Sequence, residues 1–445
     1  MAQAQIKMPT LDDLAGMWQV SGLKQKLIFT FLMIAVFRFG AQIPIFGINS
    51  EIFANLAAGN NIVGFLDLFS GGALGKVSIF AMGIGPYITA SIIIQLMTAV
   101  IPYLENLQKE EGEAGRRKIS QITRYFTVVL AIVQSVAVMG FLAHYPGAIL
   151  TDNHFLFYTG AVVSLTAGSV LVMWLAELIT ERGLGNGGSL LIFIGILSGI
   201  PLYTERTAVL VSGDPSKQLW LLVLLAIFFL AMIMIVVMQE AIRKVIIVNA
   251  KRQVGNKVYG GTNTYIPFKL NPGGVMPIIF AMAMLLFPMT ILSLLGQNMP
   301  GGIFGKVINF LSMDLLNPAK APYYIIYFLL IVGLTFFYAS IIPNMQPKDI
   351  ANNLKKYGSS IPGIKPGKPT ADALDKILSK TTFIGAMGLG IIALVPNAAT
   401  ALTGISTIQG IGATSLIIMV GVALDFINQI KTHLLARHYE GFLKQ

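Results

Sequence analysis

Ten apolar stretches, each long enough to cross a bilayer, divide this chain, and its basic residues fall almost entirely in alternate gaps between them. A span needs about 20 predominantly apolar residues. The stretches lie near 27–45, 77–101, 125–142, 155–176, 184–203, 219–240, 275–295, 322–342, 382–402 and 411–430. An all-α polytopic membrane protein is expected. With 55% hydrophobic and only 11% charged residues, the composition is far from that of a soluble globular domain.

All Lys and Arg except Arg38, Lys76, Arg206, Lys217, Lys306 and Lys320 lie in the N-terminal segment, in the gaps after spans 2, 4, 6 and 8, or in the C-terminal tail. The positive-inside rule then puts both termini and the basic loops in the cytoplasm. The net charge of +11, which in a soluble protein would point to nucleic acid, thereby has a topological cause. The absence of Cys excludes disulfides and thiolate metal sites but does not identify a compartment. Lys7, Asp12 and Asp13 open an amphipathic run to Lys26 with no signal-peptide cleavage pattern, so span 1 is expected to stay in the mature protein.

Several spans are broken. Span 2 follows Phe65-Leu-Asp-Leu-Phe-Ser-Gly-Gly-Ala-Leu-Gly75 and is interrupted by Gly83-Ile-Gly-Pro86, where proline lacks an N–H and glycine tolerates unusual dihedrals. Irregular backbone at membrane depth must be buried in protein or line a cavity, so Asp67–Gly85 reads as a re-entrant element. Span 5 is punctuated by Gly183, Gly185, Gly187, Gly188, Gly195 and Gly199, and span 7 follows Asn271-Pro-Gly-Gly274. Breaks in several helices point to a central passage.

The two largest cytoplasmic loops are the other anomaly. Residues 241–273 place the β-formers Val245-Ile-Ile-Val248 and Lys257-Val-Tyr259 around Gly255-Asn256, a hairpin-turn pattern. Residues 343–381 combine Lys348, Lys355, Lys356, Lys365, Lys368, Lys376 and Lys380 with prolines at 347, 362, 366 and 369. Two readings stand side by side: a docking surface, or a solvated loop that only sets topology.

Catalytic motifs fail on context. Gly183-x-Gly185-x-x-Gly188 spells a dinucleotide fingerprint but joins two membrane spans instead of a strand and a helix. Gly75-Lys76, Gly305-Lys306 and Gly367-Lys368 lack the remainder of a phosphate loop. His144, His154, His433 and His438 have no metal-binding pattern around them, so no cofactor and no metal are expected. Arg38, Glu105, Glu177, Glu240 and Asp425 sit toward span ends, which weakens an ion-coupled transporter, although unwound carbonyls at Gly83–Pro86 keep a small-solute transporter open. An intramembrane enzyme would require facing aspartates or a nucleophile–base pair within spans, and Asp425 has no such aspartate partner in the sequence.

Phe69-Ser-Gly-Gly-Ala-Leu74, Ser78-Ile-Phe-Ala81, Pro86-Tyr-Ile-Thr-Ala-Ser-Ile-Ile-Ile-Gln95, Glu113-Ala-Gly-Arg-Arg-Lys-Ile-Ser-Gln121, Glu181-Arg-Gly-Leu-Gly-Asn-Gly187, Asn249-Ala-Lys-Arg-Gln253, Asn353-Leu-Lys-Lys356, Ile361-Pro-Gly-Ile-Lys-Pro-Gly367 and Gly412-Ala-Thr-Ser-Leu416 follow one another in the order of a known family. Over essentially its whole length the chain resembles the SecY protein-conducting channels. The resemblance implies ten transmembrane helices in two pseudo-symmetric inverted halves around an hourglass pore, with a small cytoplasmic β-hairpin. The halves would be 1–203 and 219–445, joined by an external hinge at 204–218.

The resemblance further implies a pore ring of Ile84, Ile88, Ile192, Ile196, Ile279 and Ile418. Such an aliphatic waist discourages water and gates ions by dewetting, while offering a sliding chain no fixed hydrogen-bond partner. It implies a plug at about 67–82, including Asp67, Phe69, Ser70, Gly71, Gly72 and Leu74, expected as a short helix. A lateral gate between spans 2 and 3 on one side and 7 and 8 on the other would include Gln95, Thr98, Gln134 and Ser135, polar groups able to bond across a closed gate.

By the same resemblance, Arg243, Lys244, Lys251, Arg252, Lys257, Lys355, Lys356 and Lys365 contact a SecA ATPase motor or the ribosome. Small SecE-like and SecG-like membrane subunits complete the assembly in the cytoplasmic membrane. The substrate is an unfolded precursor polypeptide, passed across the membrane or released sideways into the lipid bilayer, and the chain itself is not an enzyme. Two positions depart from the family pattern: Lys365 stands where Arg is usual, without the planar bidentate fork, and Asn256 where many relatives carry a second basic residue.

Overall fold

The structure, a computed structural model, describes residues 21–49, 70–109, 112–143, 147, 149–150, 153–214, 216–249, 252–254, 257–259, 263–295, 310, 320–341, 346–405 and 412–443. Its helices are α1 (Ser21–Gly40), α2 (Gly85–Val100), α3 (Pro102–Lys109), α4 (Gly112–Ala143), α5 (His154–Arg182), α6 (Gly187–Gly213), α7 (Lys217–Glu240), α8 (Met276–Leu295), α9 (Ala321–Ile341), α10 (Pro347–Lys356), α11 (Lys368–Thr403) and α12 (Ala413–Leu443). The strands are β1 (Ile242–Asn249), β2 (Arg252–Val254), β3 (Lys257–Tyr259), β4 (Asn263–Lys269) and β5 (Ser359–Ser360).

A helix occupies each of the ten apolar stretches. Among the described residues, seven (α4–α7, α9, α11 and α12) are long and apolar enough to cross a membrane; α2 and α3, bent by 102° at Ile101, make an eighth if taken as one span. The described apolar part of α8 is the shorter Met276–Leu285, and α1 carries Lys24, Lys26 and Arg38.

Span 2 is shorter than its apolar run. Residues 77–84 are turns, and the helix begins only at Gly85. Val77 adopts φ 43° and Gly83 φ 53°, conformations outside the helical region, and Pro86 at the head of α2 suits a helix start. The expected break is therefore present, but it precedes the membrane helix instead of interrupting it. α6 runs on through Pro201 to Gly213.

The chain forms two compact units, residues 1–88, 127–200 and 422–445 in one, 89–126 and 201–421 in the other. In the first, the turns 71–84 are built into the core. Leu74, Val77 and Ala81 pack with Ile45, with Met139 and Leu142 of α4, and with Phe157, Ala161 and Leu165 of α5. Two backbone hydrogen bonds, Ile45 N–H to Val77 O and Ile79 N–H to Ile43 O, both 3.0 Å, fasten the turns to the residues after α1. A second cluster joins Leu23 of α1, Leu184 and Ile430 of α12. There the Leu184 N–H donates to Thr30 Oγ1 at 3.0 Å and the Gly185 N–H to Gln429 Oε1 at 2.7 Å. The glycine run read above as a failed dinucleotide fingerprint is thus a tight α5–α6 connection; a Cβ at Gly187 would overlap the carbonyl of Ala176.

In the second unit, α11 packs against α7, α9 and α10, and α8 packs against α9. Small residues allow the approach: a Cβ at Gly388 would meet Met238 Cε at 2.5 Å, and one at Gly390 would meet Phe328 Cε2 at 2.5 Å. The loops after α7 and α9 form one small domain. β1 lies between β4 and β5 in a three-stranded antiparallel sheet, with Val245 opposite Ile266 and Val248 opposite Ser360. Its inward residues Val245 and Phe268 pack with Ile361 and with Leu374 and Leu378 of α11.

The sheet corrects the simple hairpin expectation. A hairpin does form at the predicted place, with Val254 opposite Lys257, but between β2 and β3, and residues 255–256 lie outside the described residues. The apolar run Val245–Val248 pairs with β4 and β5 instead. Burial decides this: β4 and β5 bring Phe268 and Ile361 to a core that Lys257-Val-Tyr259 alone would not supply.

Candidate functional site

The six isoleucines assigned to the ring are distributed over both units. In the first unit, Ile84 closes the turns before α2 and is 4% exposed; Ile192 and Ile196, one turn apart on α6, are each 1% exposed. The Ile84 Cδ1 atom lies 3.5 Å from where a Cβ on Gly188 would stand, so Ile84 faces the stripe of α6 that Ile192 continues four residues on. Ile88 is half-buried.

In the second unit, Val275 Cγ1 lies 2.7 Å from a Cβ built on Gly421, and Thr414 Oγ1 donates to Met282 Sδ at 3.7 Å. Val275 stands just before α8, its carbonyl accepting from the Ile279 N–H at 3.2 Å, so 275, 279 and 282 follow one face, and 414, 418 and 421 share one face of α12. Ile279 and Ile418 therefore lie along an antiparallel helix contact, 4% and 0% exposed. Ile84, Ile279 and Ile418 thus sit where two elements meet, while Ile192 and Ile196 are buried on α6.

Of the residues assigned to the plug, Asp67 and Phe69 lie outside the described residues. Ser70 is helical, and from Gly71 to Ile84 the backbone is a run of turns with one bridge at Ser78, so the described part is not the short helix expected. Ser70 Oγ accepts from Leu74 N–H at 2.9 Å, closing the first of these turns. Gly71 sits at φ +70° and Gly72 at φ +81°, consecutive left-handed positions that favour glycine. Leu74 is buried in the core cluster.

The polar residues assigned to the gate find partners nearby. Thr98, 3% exposed, donates to the Gln95 carbonyl at 2.6 Å, and Gln95 Nε2 donates to Ser91 Oγ at 3.3 Å, both within α2. Ser135, fully buried, accepts from Thr166 Oγ1 of α5 at 3.4 Å; Gln134 is half-buried. Back-bonding of a threonine hydroxyl to its own helix accounts for Thr98.

Five of the basic residues assigned to motor or ribosome contact are exposed on the loop domain: Arg243, Lys244, Lys355, Lys356 and Lys365. Lys244 Nζ stands 4.9 Å above the Tyr265 ring, a cation–π contact that holds its ammonium over β4. Lys355 and Lys356 fall in the last turn of α10, where cations favour the helix C-terminus. Lys365 lies in the Ile361–Gly367 turns, with its carbonyl accepting from Thr370 Oγ1 at 2.8 Å. Arg252 and Lys257 belong to β2 and β3, and Lys251 lies outside the described residues. The sheet joins the loops carrying these groups, with Ser359 Oγ donating to Asn249 Oδ1 at 2.8 Å.

A family model for SecY matches residues 78–427, which includes every described ring and loop residue above. The chain belongs to the SecY family. It is 44% identical to the protein translocase subunit SecY of Synechococcus elongatus over 436 residues, 96% of each chain. Its fold is similar to that of a SecY structure concerned with the plug domain that stabilises the closed translocation channel, with a TM-score of 0.64 and 17% identity over 97% of this chain and 94% of that one. It is also similar to Sec61 in a canine ribosome–channel complex from the endoplasmic reticulum, with a TM-score of 0.62 and 16% identity over 97% and 94% of the two chains.

Arg38 is the functional candidate that sequence reasoning passed over as a span-end charge. In this SecY-family chain its Nη1 donates to the Gly71 carbonyl at 2.8 Å and to Ser198 Oγ at 3.0 Å. The signal was available: an arginine within an apolar span is a functional-site hypothesis by default.

Proposed function

We propose that this chain is the pore-forming subunit of a protein translocase, a gated conduit that passes unfolded polypeptides across the cytoplasmic membrane and releases apolar helices sideways into lipid. The observation that carries this reading is the burial of Ile84, Ile192, Ile196, Ile279 and Ile418, with Ile84 against α6 and Ile279 and Ile418 on facing stretches of α8 and α12. An aliphatic constriction excludes ions by dewetting yet holds no particular sequence. The two halves, 1–203 and 219–445, would part around it, with both termini in the cytoplasm, as the distribution of Lys and Arg favours.

The chain performs no chemistry of its own in this reading, and directionality comes from partners. SecE-like and SecG-like subunits stand beside it in the membrane, and a SecA motor or the ribosome docks on the loop domain. Arg243, Lys244, Lys355, Lys356 and Lys365 suit both rRNA phosphates and acidic protein patches. The Sec61 relative in its ribosome–channel complex supports the ribosomal alternative.

The test is reconstitution of the complex in liposomes with a motor ATPase, ATP and a radiolabelled precursor. Protease-protected full-length precursor, dependent on its signal sequence, is the expected result. Saturable uptake of a small solute without any protected precursor would replace this reading with that of a secondary transporter.

A further inference from the structure

Three buried polar atoms of the second unit have no hydrogen-bond partner among the described residues. They are Gln239 Nε2 in the last turn of α7, Asn271 Oδ1 in the connection from β4 to α8, and Thr382 Oγ1 on α11. Asn271 and Thr382 are each 1% exposed. An unpaired polar atom in a packed interior carries its full desolvation cost, so folded proteins rarely keep one.

The backbone brings the three to one place. The Leu270 N–H donates to the Ala241 carbonyl at 2.9 Å, which extends the β1–β4 ladder one pair beyond Ile242 and Lys269 and sets Asn271 beside the end of α7. α11 approaches the same segment: a Cβ at Gly385 would overlap the Leu270 carbonyl and stand 3.6 Å from the Asn271 backbone nitrogen. Thr382 lies one turn earlier on that face of α11. From α12, a Cβ at Gly421 would meet Val275 Cγ1 at 2.7 Å and Gln239 Nε2 at 3.5 Å, so the glutamine amide reaches the same connection.

Local bonds set which groups remain to be satisfied. Asn271 Nδ2 donates to the Gly274 carbonyl at 2.6 Å, so its Oδ1 faces away from that bond. Thr381 returns its hydroxyl to the Ile377 carbonyl at 2.8 Å, the common bond of a helical threonine, whereas Thr382 does not. The set left over is an amide N–H donor, an amide oxygen acceptor and a hydroxyl.

We infer that Gln239, Asn271 and Thr382 bind one internal water molecule. It accepts from the Gln239 amide and the Thr382 hydroxyl and donates to Asn271 Oδ1, the three bonds usual for buried water. A cation would face the Gln239 N–H, and the close packing at Gly385 and Gly421 suits the smallest polar ligand. The segment bound in this way, 270–275, carries the chain from the loop domain into α8 and toward Ile279, and the water ties it to both α7 and α11. The site stands whether or not the isoleucines form a pore.

The experiment is cryo-electron microscopy of the purified complex, wild type and Thr382→Val, at a resolution that shows ordered water. Thermal melting is measured alongside for Thr382→Val, Gln239→Met and the two together. Expected is a solvent peak about 2.7–3.2 Å from all three atoms in the wild type, weakened or lost in Thr382→Val. Thr382→Val should melt below wild type, and the double variant should lose less than the two single shifts combined, because both act through one water. Thr382→Val melting above wild type would overturn the site, since replacing a hydroxyl that has no partner removes its desolvation cost. So would a wild-type map with no peak there, a peak bonded to fewer than three of the atoms, or strictly additive shifts.

Discussion

The phenolic oxygen of Tyr327 on α9 lies 2.8 Å from the hydroxyl oxygen of Thr414 on α12. Because Thr414 gives its own proton to Met282 on α8, the tyrosine is the donor, and a buried chain of three side chains ties three helices together. Tyr327→Phe should remove this donor without a cavity and lower the stability of the complex by about 1 kcal/mol. Thermal melting in detergent checks this, and an unchanged melting temperature would mean the bond contributes nothing net.

A Cβ at Gly168 would fall on the carbonyl oxygen of Ile79, a backbone atom that cannot turn aside. Gly168→Val should therefore push α5 away from the turns 71–84 and cost about 1–3 kcal/mol or more by overpacking. Reduced yield of folded complex, read by size-exclusion chromatography, is the expected outcome; wild-type yield and melting would show that the turns yield easily.

The proposed isoleucine ring predicts a graded effect of polarity. Ile192→Asn with Ile418→Asn should wet the waist and raise resting ion conductance, whereas Ile192→Leu with Ile418→Leu should leave it near wild type. Planar-bilayer recordings distinguish these, and equal conductance of the asparagine and leucine pairs would count against dewetting.

Charge reversal on the loop domain separates its two readings. Lys355→Glu, Lys356→Glu and Lys365→Glu together should weaken binding of the motor or ribosome by an amount that shrinks as salt rises, because these groups are exposed and screened. Topology should be unaffected, since the remaining Lys residues of the loop still mark it as cytoplasmic. Unchanged binding at physiological salt would leave the lysines as orientation signals alone.

The membrane helices were legible because their signal is local: about 20 apolar residues are visible without knowing the neighbours. The break at Gly83–Pro86 was legible for the same reason, although the sequence did not distinguish a helix interrupted there from one that starts there. Val77 carries no turn signature, and its φ of 43° is imposed by the packing of residues 73–81.

Long-range pairings were not legible. β5 is only Ser359-Ser360, with no strand propensity to announce it, and it joins β1 from about a hundred residues away because Ile361 completes the Val245–Phe268 core. Arg38 was visible as a charge in a span, but its acceptor is a backbone carbonyl, which leaves no trace in residue identity. Thr98 and Ser135 were noticed for their polarity, yet the bonds described for them run to Gln95 and Thr166, partners that polarity alone cannot choose.

The central claim is that a polypeptide passes the isoleucines. A photo-crosslinking amino acid at Ile192, in the reconstituted complex holding a precursor arrested in mid-translocation, tests it most directly. The account predicts a crosslink to the precursor that depends on its signal sequence. Translocation proceeding normally with no crosslink from Ile192 would contradict it, because the chain would then be passing elsewhere.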